Sequence, residues 1–151
     1  MRIAIGSDHA GFDLKERLKH ELVSRGAVVD DLGTFTTDPC DYPDFCFPVA
    51  ERVARGEADR GIVLGGSGIG ESIAANKVAG IRASVVTSDE TARLTRLHND
   101  SNVLALGGRT NAHEDAVRWL GIWLETPFEG GRHVTRLEKI RGYEQSHPSP
   151  R

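Results

Sequence analysis

The chain has 151 residues, 38% of them apolar and 27% charged, with a formal net charge of −3. That length suits one domain around one core, and the apolar share excludes a disordered or fibrous chain. A mildly acidic balance gives no electrostatic case for nucleic acid or an anionic membrane as partner, so any bound phosphate must meet a local cluster of basic groups.

Arg2 to Gly6 reads as a short buried strand, which argues against a signal peptide at this end. Phe12, Leu14, Leu18, Leu22 and Val23 recur at helical spacing, and Gly26 stops that helix. Ala27 to Leu32 is a second strand, and Gly33 to Asp44, rich in Thr, Asp and Pro, a loop. Both cysteines, Cys40 and Cys46, lie in the Pro- and Asp-rich stretch Asp38 to Cys46; they do not form a C-x-x-C pair and have no second pair to complete a zinc site. Two reduced thiols and no metal are expected, and neither thiol directly follows a strand. A second helix starts at Tyr42 or Phe45, runs to Arg55 and is closed by Gly56. Gly61 to Leu64 forms strand three, Gly65 to Gly70 a turn, and a helix begins with Glu71 to Lys77. Arg82 to Val86, then Asp89 to Leu97, then Asn102 to Leu106 read as strand, helix and strand. Helices follow over Asn111 to Leu124 and Arg132 to Tyr143.

Residues 1–145 thus make one domain, and 146–151, polar and Pro-rich, a frayed tail. No apolar run approaches the roughly 18 residues that span a bilayer, so a cytoplasmic protein is expected. Five alternations of strand and helix predict an α/β fold, a five-stranded parallel sheet covered on both faces. Ligands of such sheets bind at the carboxyl ends of strands, near a switch in strand order. Each polar residue can therefore be judged by whether it follows a strand.

Gly65 to Gly70 follows strand three and opens a helix, where amides point outward and the helix dipole is positive. Glycines admit a ligand close to the backbone, so the turn suits a phosphate or a developing oxyanion. The pattern is neither G-x-G-x-x-G nor a P-loop, and a tight turn needing glycine for geometry alone is the plain alternative. Glu71 beside it is a candidate general base, or else a carboxylate complementing the dipole. Ser67 offers a hydroxyl, or else a helix cap. Asp8 and His9 directly follow strand one; Asp8 also suits a cap and His9 a ligand oxygen. Arg109 follows strand five. Arg132 and Arg136, four apart at the start of the last helix with His133 between them, suit forked bonds to a phosphate, or else form a solvated basic face. His98 and Asn99 fall at the amino end of a strand, the wrong edge within one subunit. A catalytic His98 would therefore serve a neighbouring subunit; the alternative is a histidine favoured by a helix C-terminus.

Taken together, Ser7-Asp8-His9-Ala10-Gly11, Asp41-Tyr42-Pro43, the turn Gly65 to Gly70, Ile73-Ala74-Ala75-Asn76-Lys77, Gly80-Ile81-Arg82-Ala83, His98-Asn99-Asp100 and Glu129-Gly130-Gly131-Arg132-His133 resemble the ribose-5-phosphate isomerase B family, which includes galactose-6-phosphate isomerase subunits. The resemblance covers about Arg2 to Tyr143. It implies a three-layer flavodoxin-like, Rossmann-type sandwich, a homodimer or pair of dimers with a composite site, a sugar-phosphate substrate, and no metal or organic cofactor.

The resemblance also implies roles. The partner subunit's His98 would open the sugar ring, with Asp8 near the ring oxygen. A base would then move a proton from C2 to C1 through a cis-enediolate. Ser67 and the amides around Gly66, Gly68 and Gly70 would hold the enediolate oxygens, helped by Asn99. His9, Arg109, Arg132 and Arg136 would bind the phosphate, Tyr42 would line the sugar pocket, and His133 would be a secondary contact at the phosphate end. Many family members carry a cysteine base where this chain has Gly65; a second branch has a glutamate just after the turn, which this chain matches at Glu71. The expected activity is interconversion of ribose 5-phosphate and ribulose 5-phosphate. A tetrose or hexose phosphate isomerase, or a phosphosugar-binding module without catalysis, are the other readings.

Overall fold

Apolar strands without alternation belong where both faces of a sheet are covered. Three strands meet that description, β1 (Arg2–Ser7), β3 (Arg60–Gly65) and β5 (Val103–Gly107), buried at nearly every position. β2 (Val28–Asp31) and β4 (Ala83–Val85) are only half-buried and take the edges. The computed structural model, which describes residues 1–148, orders them β2-β1-β3-β5-β4, with every neighbouring pair parallel. On one face Leu14, Leu18 and Leu22 of α1 (Phe12–Ser24) pack with Ala92 of α4 (Asp89–Asn99) and Trp119, Leu120 and Trp123 of α5 (His113–Glu125). On the other lie Cys46, Val49, Ala50 and Val53 of α2 (Pro43–Ala54) with Ala74 and Ala75 of α3 (Ile69–Ala75). The final helix, α6 (Arg132–Ser146), sits outside these layers against α4 and buries only His133.

This is the expected three-layer sandwich with one exchange. Relative to the flavodoxin order 2-1-3-4-5, the last two strands trade places. The apolar β5 lies beside β3, in register from Gly61↔Val103 to Gly65↔Gly107, and the short β4 becomes the edge. Three further differences matter. α3 begins at Ile69, so Gly70 and Glu71 belong to its first turn and Gly68, at φ +82°, is its cap. Val23 is exposed on α1, and Lys15 takes a core-facing place instead. α6 continues through Ser146, one residue into the expected tail; positions 149–151 of that tail lie outside the described residues. Among the described residues no helix is long and apolar enough to cross a membrane.

Lys15 is fully buried yet satisfied. Its ammonium donates to Asp31 Oδ1 at 2.6 Å and to the Thr34 carbonyl at 2.6 Å, between the rings of Phe12 and Phe35. It ties β2 and the loop after it to α1. Burial opposes ionisation of Asp31, but hydrogen bonds from Lys15 and Lys19, then the Gly33 amide, outweigh it and hold the carboxyl below its ordinary value of 3.8. A depressed carboxyl stabilises the fold above its unfolded-state pKa and loses that contribution as pH falls through the folded one. Lys15→Met is therefore expected to cost about 1–3 kcal/mol at pH 7, because Lys19 still partners Asp31. In urea unfolding, the gap to wild type should narrow below pH 3.8.

Candidate active site

From β1 the chain moves outward to β2, then returns past β1 to β3. The switch in strand order therefore lies between the carboxyl ends of β1 and β3, where ligands of open α/β sheets bind. Because β5 adjoins β3, a third loop joins the other two there. Asp8 donates its amide to the Leu64 carbonyl at 3.2 Å, Gly108 to that of Gly65 at 2.8 Å, and Arg109 to that of Gly66 at 3.0 Å. Such closeness needs glycine: a Cβ at Gly11 would lie 2.6 Å from the backbone carbon of Leu64.

Glu71 is the centre of this edge. It is 3% exposed, and its carboxyl overlaps the position a Cβ at residue 65 would take. The space left by Gly65 is thus the pocket of the Glu71 carboxyl. Burial pushes that carboxyl above the ordinary range; the charge of Asp8 adds to the shift, and the amides of Glu71 and Gly68 oppose it. Asp8, also buried, accepts from the amides of Ala10 at 2.9 Å and Gly11 at 3.0 Å through Oδ1. It thereby shapes the turn into α1.

His9 accepts the Cys40 amide at Nδ1, 3.1 Å away. A neutral ring with an acceptor at Nδ1 carries its proton on Nε2, so His9 presents a donor. Ser67 Oγ accepts from the Ile69 amide at 3.2 Å, the capping role, while the Gly66 and Ser67 amides donate to no other group among the described residues. Two N–H groups beside a buried carboxyl can stabilise an oxyanion. Tyr42 lies against Gly70, whose Cβ would come 2.7 Å from its ring, and the Arg109 side chain passes 3.8 Å from the equivalent point of Gly66.

The fold thus gathers Asp8, His9, Tyr42, Gly66, Ser67, Gly68, Gly70, Glu71 and Arg109. It keeps His98, Asn99, Arg132, His133 and Arg136 apart, at the end of α4 and the start of α6, beyond the amino end of β5 and roughly 15 Å of strand away. Within one chain, His9 and Arg109 therefore do not meet Arg132 and Arg136, because α6 packs on α4. Arg132 and Arg136 are exposed and make no ion pair among the described residues. His133 turns inward and stacks on His98, ring centroids 4.3 Å apart, with Glu129 beside both. Asn99 is exposed, and its carbonyl accepts from Arg82 Nε at 2.9 Å.

Neither cysteine is remote from the site. The loop after β2 folds back so that Cys40 reaches His9, and Cys46 on α2 is buried near Glu71 and Asp8. Burial, then those two charges, pushes the Cys46 thiol far up, so it stays protonated. The Cys40 amide and Lys15 escape a reading of strand ends, the first because a long loop carries it. The second had a signal: a lysine on the apolar stripe of α1 with Asp30-Asp31 ahead of it.

A buried carboxyl whose proton is held more tightly than usual, beside free amides at a switch point of an α/β sheet, suits proton transfer on a small anionic substrate. Comparison with known proteins narrows this. Residues 3–140 match the family model described as Ribose/Galactose Isomerase. Ribose-5-phosphate isomerase B of Escherichia coli strain K12 is 49% identical over 144 residues, 95% of this chain and 97% of that protein. Among solved structures, Clostridium thermocellum ribose-5-phosphate isomerase B is 50% identical with a TM-score of 0.95, covering 97% of this chain and 99% of that one. The Mycoplasma genitalium enzyme with bound ribulose-5-phosphate is 41% identical with a TM-score of 0.92, covering 95% and 96%. The chain belongs to the ribose/galactose isomerase family and is an aldose–ketose isomerase.

Because one volume serves both residue 65 and the Glu71 carboxyl, Gly65→Ala should displace that carboxyl. We expect a fall in kcat of at least about 10-fold with the fold retained, read from steady-state kinetics and circular dichroism.

Proposed function

We propose that this chain interconverts ribose 5-phosphate and ribulose 5-phosphate in the cytoplasm, where its two free thiols stay reduced, in a site completed by a second copy of itself. The observation that carries the chemistry is the Glu71 carboxyl, buried in the space of Gly65 beside the unpartnered amides of Gly66 and Ser67. The partner subunit's His98 takes the proton of the anomeric hydroxyl. The C1 carbonyl forms as the bond from C1 to the ring oxygen breaks, and the ring oxygen, facing Asp8, takes up a proton. Glu71 then removes the proton from C2, and the electron pair moves to the carbonyl oxygen. The amides of Gly66 and Ser67, with the hydroxyl of Ser67, hold the enediolate; the partner subunit's Asn99 adds a further contact. Protonated Glu71 returns the proton to C1. A raised pKa suits both halves of that transfer, since the base must also serve as acid.

The phosphate is bound by His9 and Arg109 of one subunit and by Arg132 and Arg136 of the other, with His133 behind them. What supports the composite arrangement is the separation of the two halves within one chain. α6 also carries exposed Val134, Ile140 and Tyr143 beside those arginines, an apolar and basic surface suited to a second copy. No organic cofactor is required, since one proton leaves C2 and one arrives at C1.

In a coupled assay over tetrose, pentose and hexose phosphates, turnover is expected on ribose 5-phosphate. Glu71→Gln should lower kcat by about 10²–10⁴-fold. The acid limb of kcat/KM should lie above pH 4.5, the ordinary glutamate value, because burial favours the protonated form. At pH 7 the same variant should melt higher than wild type. A carboxyl whose folded pKa is raised costs stability above that pKa, and the gap should close as pH falls toward 4.5. Turnover on none of the panel would favour a binding module instead. Co-refolding Glu71→Gln with His98→Asn in equal amounts should restore about a quarter of wild-type activity, because half the dimers are hybrids with one intact site. Recovery no greater than either parent would sink the shared site.

A further inference from the structure

One group of metal-ligating side chains converges among the described residues, away from the carboxyl-end edge: His98, Glu129 and His133. His98 sits in the last turn of α4 and His133 in the first turn of α6. Glu129 lies between the two helices, its amide donating to the Leu97 carbonyl at 3.0 Å. Both imidazole Nε2 atoms approach the same carboxylate oxygen, Oε2 of Glu129, His133 at 3.3 Å and His98 at 3.8 Å. One ligand atom from each residue falls within 4.8 Å of the others. A tetrahedral ion with bonds of about 2.0–2.2 Å to nitrogen and oxygen sets its ligands about 3.3–3.5 Å apart. The Glu129–His133 edge already has that length.

An independent observation concerns His133 itself. The side chain is 4% exposed, and its Nε2 has no hydrogen-bond partner, the approach to Glu129 being too oblique for one. A buried polar atom left this way is uncommon. With the ring neutral and a lone pair at Nε2, nitrogen and carboxylate oxygen face each other as two acceptors. A cation between them turns that contact into two bonds. Glu129 makes no ion pair with a lysine or arginine among the described residues, so its charge is available.

We propose that His98, Glu129 and His133 bind a divalent transition-metal ion of the zinc type, and that the ion inhibits the isomerase by occupying His98. Two imidazoles and one carboxylate with a fourth position open form a borderline donor set that favours zinc or cobalt over calcium or magnesium. The rings stack at an interplanar angle of 18°, so His98, the partly exposed one, turns out of the stack to complete the site. The binding half stands on this geometry alone; the inhibitory half rests on the role proposed above for His98.

The test uses the full-length protein carrying Cys40→Ser, which removes the thiol 4.0 Å from His9, the other pair with affinity for soft metals. Cobalt(II) is expected to give the visible absorption of a low-coordinate site at one equivalent per subunit, displaced by zinc. Zinc should inhibit turnover, and EDTA should restore it. Glu129→Gln should keep its metal-free turnover, bind zinc at least 10-fold more weakly and escape inhibition. His133→Phe, assayed for binding only, should lose the cobalt spectrum. Absence of cobalt binding, or a spectrum unchanged in both variants, overturns the site and leaves the proposed reaction standing. Binding that is lost in Glu129→Gln, without any zinc inhibition of the parent, overturns the inhibitory half. Separate kinetics of His98→Asn then show whether the role of His98 fails with it.

Discussion

The ends of β1 and β3 approach each other so closely that the backbone of one turn rests on the other, and the catalytic edge is built on that approach. Gly11 lies against the main chain of Leu64, and Asp8 donates its amide across the gap. This proximity brings the Asp8 carboxyl within electrostatic reach of Glu71, so that two acidic groups are buried together. For Glu71 these surroundings are unfavourable, since burial and the charge of Asp8 both oppose its ionisation. In the proposed reaction the compensation is chemical: a carboxyl whose proton is held more tightly than usual can both take a proton from carbon and give it back.

The exchange of β4 and β5 completes the edge. With β5 inside, the turn carrying Gly108 and Arg109 hydrogen-bonds directly to Gly65 and Gly66. The parallel crossover from β4 to β5 puts the end of α4, with the start of α6 packed on it, at the opposite pole. Each chain therefore carries two constellations at opposite poles: an edge with buried Glu71 and Asp8 and one arginine, and a histidine pair flanked by two more arginines.

Much of this was legible in the residues. The alternation of strands and helices marked a parallel sheet covered on both faces, and the positions just after strands held Asp8, His9, the Gly-rich turn and Arg109. The topology also put His98 at the amino end of β5, where the structure has it. Strand order was not legible, because β4 and β5 have similar short patterns and differ mainly in burial. The start of α3 was misplaced by two residues, since glycine at position 70 conceals a helical turn in which Tyr42 packs against the bare backbone. Lys15 stands on the apolar stripe of α1, but only Asp31 and the Thr34 carbonyl, brought by β2 and its loop, make its burial tolerable. Glu129 drew no separate attention because its significance depends on two histidines that are distant in sequence and stacked in space.

The shared volume of Gly65 and Glu71 also constrains descent. A side chain at 65 and a carboxyl at 71 compete for one space, so a lineage that moved its proton-transfer group from one position to the other had to change both. Acquiring a side chain at 65 first would wedge the existing carboxyl out of its pocket, and losing the carboxyl first would leave that pocket empty. With Glu71 in its proposed role, the two arrangements are separated by a steric barrier that no single substitution crosses.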